Sequence, residues 1–408
     1  MAHGNEDEGL GREHSPNANS SAALLDRLRR GDELGRRDRL SLVARLSLPA
    51  IMAQLSTTLM QYIDASMVGA LGATSSAAVG LVASSEWLIG WIATSAAVGF
   101  TVQVAQLVGA RRDADARGVL LQGIVCCAAV GAVLATVASS AIAVAVAAWA
   151  LLRRNDRLRL RPGDRLHLRR ETVACAARIS VPVAIENSVF SGALVVTTKI
   201  VAPLGAESIA ANSFATTAEG LCYMPGYGIG TAATTLVGQA IGAGRRDLAR
   251  QLAWLSVGIG VCVMVCGAGL MFAIAPQVIG LLTPVPGIRD LGARMLRIEA
   301  FAEPLYASAI VASGCLRGAG DTLVSSALNF SSLWLVRIPL SMVLVGRLGL
   351  TGVWLAMAIE LCVRGCLFLT RLRGRAWSSR DLAGNMADVD GAACDTTTPA
   401  TEKGGEAE

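Results

Sequence analysis

Val104-Ala105-Gln106-Leu107-Val108-Gly109-Ala110 recurs 133 residues later as Val237-Gly238-Gln239-Ala240-Ile241-Gly242-Ala243, and both copies run into Arg-Arg-Asp, the second after one extra residue, Gly244. The same shift carries Ser47 and Pro49 onto Ser180 and Pro182, Leu71-Gly72-Ala73 onto Leu204-Gly205-Ala206, and Glu86 onto Glu219. Self-similarity at a fixed offset predicts two copies of one structural unit. Around the repeat, the stretches Ala77 to Leu107, Gly118 to Leu152, Val181 to Val201 and Trp254 to Leu282 carry few or no charges. Each exceeds the roughly 20 residues that a helix needs to cross a bilayer. In lipid every backbone amide must be paired within its own segment, so smooth spans of this length predict helices and exclude barrel strands. The expected fold class is all-α, a polytopic membrane helix bundle whose two lobes are parallel repeats, a recurrent plan of secondary transporters.

Composition agrees. A hydrophobic fraction of 53% against 16% charge over 408 residues is more apolar surface than a water-soluble fold hides. Spans are expected near residues 45–70, 77–108, 118–152, 178–202, 208–241, 251–283, 293–316, 322–346 and 350–371. Arg-rich segments, which the positive-inside rule places in the cytoplasm, alternate properly with poorly charged loops from Arg170 onward, so the last six spans start and end inside. The first half does not close in the same way. Three spans starting inside would leave the basic segment Arg153 to Arg170 outside. Gly118 to Leu152 is some 50 Å of helix at about 1.5 Å per residue, against a hydrocarbon core of roughly 30 Å. It reads either as two short spans bent near Ser139 and Ser140 or as one tilted span, giving ten helices or nine. The expected organisation is a disordered cytoplasmic tail over 1–40, an N-terminal lobe over 41–152, a basic cytoplasmic linker over 153–172, a C-terminal lobe of six helices over 173–373 and a disordered tail over 374–408.

Several function classes drop out. The arginines sit in loops and form no face that could track phosphates, so no nucleic acid partner is expected. The cysteines fall mostly in apolar segments, and Cys262 and Cys266 are one helical turn apart, poor spacing for a tetrahedral metal site; no metal and no cofactor are expected. The only lysines are Lys199 and Lys403, neither preceded by a phosphate-binding glycine loop, so any transport must draw on an ion gradient or exchange. The histidines, His3, His14 and His167, lie outside the spans, which argues against an intramembrane enzyme.

Leu48-Pro49, Asp64-Ala-Ser-Met-Val-Gly69 with Leu71-Gly72, Val104-Ala-Gln106 with Gly109-Ala110, Pro182-Val-Ala-Ile-Glu186-Asn187, Leu316-Arg317-Gly-Ala-Gly320-Asp321-Thr322, and Trp334 with Arg337 resemble signatures of the multidrug and toxic compound extrusion (MATE) family. The likeness spans about residues 40–372. It implies two six-helix lobes around a central cleft, and an antiporter that exports organic cations in exchange for H+ or Na+ across the bacterial cytoplasmic membrane as a multi-pass monomer. The chain departs from the twelve-helix pattern: its first lobe resembles only helices one to three, and residues from about Ile142 to Arg161 look like the end of the family's sixth. Two other readings follow, a lipid or lipid-linked flippase of related architecture and a transport-inactive truncated remnant.

Ionisable groups inside a span are expensive unless paired or hydrated, which makes each a candidate. Asp64, in the first span after Gln61, resembles the acidic residue that the family uses on its first helix in ion coupling. The alternative is a helix-end aspartate at the interface. Glu86 and Glu219 hold equivalent places in the two copies, where they face the cleft and attract a cation or else bond to neighbouring Ser and Thr. Glu186 and Asn187 offer acceptors suited to an ion or a protonated amine. Pro225 lies between Tyr223 and Tyr227, whose rings could stack on a flat cation. Asn329, Trp334 and Arg337 form a polar run, with Arg337 in need of a carboxylate. The expected ion-coupling residues are Asp64, Glu186 and Asn187, and the expected substrate cavity is lined by Gln61, Glu86, Glu219, Tyr223, Tyr227 and Asn329.

Overall fold

The computed structural model describes residues 21–69, 94–95, 97–133 and 170–379, and every regular element among them is a helix. In chain order these are α1 (Ser21–Arg30), α2 (Arg36–Gly69), α3 (Ala97–Gly109), α4 (Asp113–Val133), α5 (Arg170–Val201), α6 (Ala206–Gly242), α7 (Arg246–Gly280), α8 (Pro286–Ala300), α9 (Glu303–Gly318), α10 (Thr322–Ser332), α11 (Ile338–Leu348) and α12 (Leu350–Arg373). Arg36–Ile63, Thr172–Leu204, Arg246–Gly280, Thr322–Leu348 and Leu350–Arg373 are long and apolar enough to cross a membrane, and the chain is a multi-pass membrane protein. Glu86 and most of the stretch 118–152, on which the span count turns, lie outside the described residues. The basic linker expected to reach residue 172 ends sooner, because α5 already begins at Arg170.

Two spans are broken, each for a reason written in a proline. Pro304 has no N–H to give, and its ring would collide with the carbonyl of Ala300 in a continuous helix. The span accordingly stops at Ala300 and restarts at Glu303. Pro339 stands in the same relation to Leu335. There the chain widens into a π-helical turn over Leu333–Arg337 before α11, a device that absorbs the missing hydrogen bond and often marks a functional position. Pro225 sits inside α6 without ending it.

The two copies of the repeat meet each other. A methyl group on Gly109 would strike the backbone of Gln239, and one on Gly242 would strike the backbone of Gln106. Since the offset of 133 converts each of these contacts into the other, α3 and α6 cross about a local two-fold relation, in which residue i touches j and j touches i. Gln106 also donates from Nε2 to the Gly318 carbonyl at 3.0 Å. The basic segments that follow put this crossing on the cytoplasmic side. The turn after it corrects one detail of the sequence alignment. Ala110 N–H bonds to Gln106 O at 2.8 Å and Arg112 N–H to Leu107 O at 2.9 Å; the shifted partners, Ala243 to Gln239 and Arg245 to Ala240, stand at 2.9 Å and 2.9 Å. The backbones therefore match with no extra residue. Gly244 corresponds to Arg111, and Arg245 to Arg112.

The tails are less empty than their polar composition suggests. Within the stretch expected to be disordered, Ser21–Arg30 is helical and buries Leu24 and Leu28, one turn apart, in a core that includes Ile241, Leu248 and Trp377. Arg245 donates to the Leu28 carbonyl at 3.1 Å, and Arg27 pairs with Asp38 at 3.1 Å. At the other end Trp377, fully buried, donates from its ring N–H to Leu372 O at 2.9 Å, while Arg250 holds Ser378. Both segments thus cover one apolar patch on the cytoplasmic ends of α6 and α7. Two leucines in a polar decapeptide become a docking face only once that patch exists to receive them.

Candidate functional site

Inside the bundle formed by α6, α8 and α9 three carboxyl groups converge. Glu219 on α6 is 7% exposed, Glu299 at the end of α8 is 2% exposed and Glu303 at the start of α9 is 2% exposed. The break made by Pro304 is what sets Glu299 and Glu303 on either side of a discontinuity. Glu303 there occupies the first turn of α9, where the helix dipole favours negative charge. The Glu219 and Glu299 carboxyl groups are close enough to act on each other electrostatically. Oε1 of Glu299 and Oε2 of Glu303 are buried with no hydrogen-bond partner among the described residues.

Aromatic rings close the site. Tyr223 packs edge-on against Tyr227, with ring centres 5.9 Å apart, and against Tyr306, at 5.8 Å. On the far side of Tyr306 stands the Arg364 guanidinium, 5.9 Å from the ring centre. Arg364 is already matched by Glu360, which it bonds through two nitrogens at 2.7 and 2.8 Å, and Ser332 donates to the same carboxylate at 2.5 Å. Arg337, in the π-turn, donates from Nη2 to Met357 Sδ at 2.8 Å. Three buried carboxyl groups that form no ion pair among the described residues hold more negative charge than a low-dielectric interior tolerates, unless protons or a cation supply the difference.

The first lobe covers this chamber. α2 runs along α6, with Thr58 against Gly220 and Ile51 against Gly228, and Tyr62 packs partly buried on the same core. At the outer end Tyr62 Oη donates to Val278 O at 2.5 Å and Ser66 Oγ to Leu281 O at 3.4 Å. Gln61 and Asp64 belong to this segment of α2; Gln61 is half-buried.

The expected site residues therefore divide. Glu219, Tyr223 and Tyr227 come together in the chamber. Glu186 and Asn329 form a different cluster on α5 and α10: Arg317 reaches Glu186 at 2.9 Å, Ser326 at 2.7 Å and Asn329 at 2.6 Å. Asn187 turns away from that cluster and donates to Ser95 at 2.7 Å. Glu186 and Asn187, grouped on the basis of adjacency, thus serve separate neighbours. Glu299 and Glu303 were not singled out from the sequence, although the rule that selects Glu219 applies to them equally, since both lie within the expected span 293–316. With Arg294 and Arg297 beside them they read as an interfacial run of mixed charge. Arg337, expected to need a carboxylate, forms no ion pair with one among the described residues.

Buried acids at a helix break, two repeat-related helices crossing at the cytoplasmic side and long apolar spans together define a polytopic helical membrane bundle. The comparisons narrow this. The MatE family model matches residues 49–148 and 182–343, and the chain belongs to that family. It is 29% identical over 259 residues to the "Probable multidrug resistance protein NorM" of Thermotoga maritima, covering 61% of this chain and 54% of that one. The protein of the same name from Pseudomonas aeruginosa is 30% identical over 188 residues, covering 44% of this chain and 38% of the relative. The chain spans about half the length of the curated relatives it matches. Among solved structures, an outward-facing multidrug resistance MATE family transporter superimposes with a TM-score of 0.72 at 18% identity, over 85% of this chain and 96% of that one. A transporter of the same superfamily from Pyrococcus furiosus gives 0.69 at 18%, over 85% and 96%.

Proposed function

We propose that this protein is an ion-coupled antiporter that exports organic cations across the cytoplasmic membrane, and that Glu219, Glu299 and Glu303 carry the coupling ion in competition with the cargo. The observation that carries the reading is the convergence of three buried carboxyl groups within a ring of tyrosines. Excess negative charge there favours a cation, and aromatic faces favour a flat organic one. Binding of cargo then displaces what neutralises the acids, which is the linkage that antiport requires. Asp64 is assigned by resemblance, Glu86 by the repeat, and Gln61 by its place before Asp64 in the first span, to the first-lobe side of the same path. Glu186 and Asn187 are better placed to tie helices together than to carry an ion, since the Glu186 charge is answered by Arg317.

Efflux of ethidium from proteoliposomes under an imposed pH or sodium gradient tests the reading, with Asp64→Asn and Glu219→Gln as comparison. Gradient-driven flux that falls at least about ten-fold in either variant is the expected result. Absence of flux from folded wild-type protein would favour the transport-inactive remnant.

A further inference from the structure

The outer wall of the second lobe carries a second site of different chemistry. Between α8, the α8–α9 break and α12 runs an open groove of about 550 Å³, lined by Arg297, Arg294, Ile298, Phe301, Ile359 and Val363, among others. Its walls face outward from the bundle: Phe301 is 78% exposed, and Leu355 and Ile359 also present their side chains to the surroundings. At one end stand two exposed guanidinium groups. Arg297 is held in place, donating from Nε to Phe272 O at 3.3 Å with its charge 5.6 Å from the Phe272 ring centre, and Phe272 in turn braces Phe301 edge-on at 5.8 Å. Neither Arg294 nor Arg297 forms an ion pair among the described residues; the nearby Asp290 leans toward Arg289, at 3.8 Å.

Depth identifies the surroundings. α7 has 35 residues, about 52 Å of helix against roughly 30 Å of hydrocarbon, so about 10 Å projects at each end if it is centred. It enters from the cytoplasm at Arg246, so Gly280 is its outer end. Phe272 lies eight residues below Gly280, about 12 Å down. The Phe272 carbonyl and the Arg297 guanidinium it holds are therefore at the boundary between headgroups and hydrocarbon in the outer half of the membrane. On the opposite wall α12 starts outside at Leu350, and Ile359 is about 14 Å below that start, at the depth of outer-leaflet acyl chains. A positive pair at headgroup level above an apolar trough at tail level is complementary to one kind of molecule. Arginine at this level, on the side that the positive-inside rule leaves poor in basic residues, calls for a partner outside the chain.

We propose that this groove binds an anionic phospholipid of the outer leaflet, its phosphate held by Arg294 and Arg297 and one acyl chain laid between Phe301 and Ile359. Two guanidinium groups without an acidic counterpart select a headgroup of net negative charge over a zwitterionic one. The floor of the groove is the Phe301–Ala302 break, whose inner side carries Glu299 and Glu303, so an occupied groove buttresses the chamber; the lipid site itself stands whether or not the chain transports.

Native mass spectrometry of the full chain, equilibrated in detergent with phosphatidylglycerol or phosphatidylcholine, tests the proposal. Wild type is expected to retain phosphatidylglycerol about ten-fold more than phosphatidylcholine, two arginines at the membrane surface being sufficient for that preference. Arg294→Gln with Arg297→Gln should abolish the preference, and Ile359→Trp, which fills the trough and leaves both charges, should lower retention of either lipid. A circular dichroism spectrum of each variant checks that it is folded, and the single Arg294→Gln variant, expected to lose part of the preference, stands in if the double variant is not. Equal retention of the two lipids by wild type, an undiminished preference in the arginine variants, or an Ile359→Trp variant that binds as wild type does would each overturn the proposal.

Discussion

Arg111 and Gly244 occupy the same place in the two copies of the repeat, and both are left-handed, at φ 60 and φ 72. Each lies two residues past the cytoplasmic end of its helix, α3 or α6. Glycine takes this conformation without cost, whereas a side chain with a Cβ loses about 1 kcal/mol. Arg111→Gly is therefore expected to raise stability by about 1 kcal/mol and Gly244→Ala to lower it by a similar amount. Thermal unfolding in detergent, followed by a thiol-reactive dye on the buried cysteines, measures both.

The crossing of α3 and α6 offers a conformational test. The Cβ of Ala105 lies 3.0 Å from where one would stand on Gly238, close to the span of a disulfide. The double variant Ala105→Cys, Gly238→Cys should cross-link under mild oxidation, as seen by mass spectrometry of the joined peptides. If the cytoplasmic closure opens during transport, ethidium flux should fall to background on oxidation and return on reduction.

Glu360 and Arg364 are buried together, 0% and 9% exposed, with Ser332 as third member. Removing one charge strands the other. Arg364→Met is expected to destabilise by about 3–5 kcal/mol, and adding Glu360→Leu should recover most of that loss, because a buried ion pair is worth little over apolar side chains of similar size. Thermal unfolding of the three proteins decides it; equal instability of the single and double variants would contradict this account.

For Glu186 the same logic separates structure from coupling. Glu186→Ala leaves Arg317 and the Asn329 amide without their acceptor and should cost about 2–4 kcal/mol. Glu186→Gln keeps an acceptor for Asn329 and Ser326 and should cost less. Gradient-driven flux that survives in Glu186→Gln, yet is lost in Glu299→Gln at unchanged thermal stability, is the expected pattern.

Docking of α1 predicts a proteolytic signature. Leu28→Asp puts a charge into a fully buried position, and the resulting release of α1 should speed tryptic cleavage at Arg29 and Arg30 by an order of magnitude, an opening shift of about 1.4 kcal/mol or more. A time course read by mass spectrometry measures the rate.

Much of this was present in the chain itself. Membrane helices follow from the solvent, since uncharged runs of this length have one way to satisfy their amides in lipid. The parallel lobes follow from the offset between Gln106 and Gln239, and the kinship from motifs that recur in order. Local chemistry also located the helix breaks in principle, because Pro304 and Pro339 act on the residue four positions back. What only the tertiary structure decided is which polar groups share a chamber. Glu219 is about 80 residues from Glu299 along the chain, and their contact depends on how α6 packs on α8. Glu186 and Asn187 are neighbours in sequence, but successive residues on a helix point about 100° apart, so one faced Arg317 and the other Ser95. Adjacency along a helix says where a charge lies in the membrane. Its partner is set by the packing of other helices, which no local pattern records.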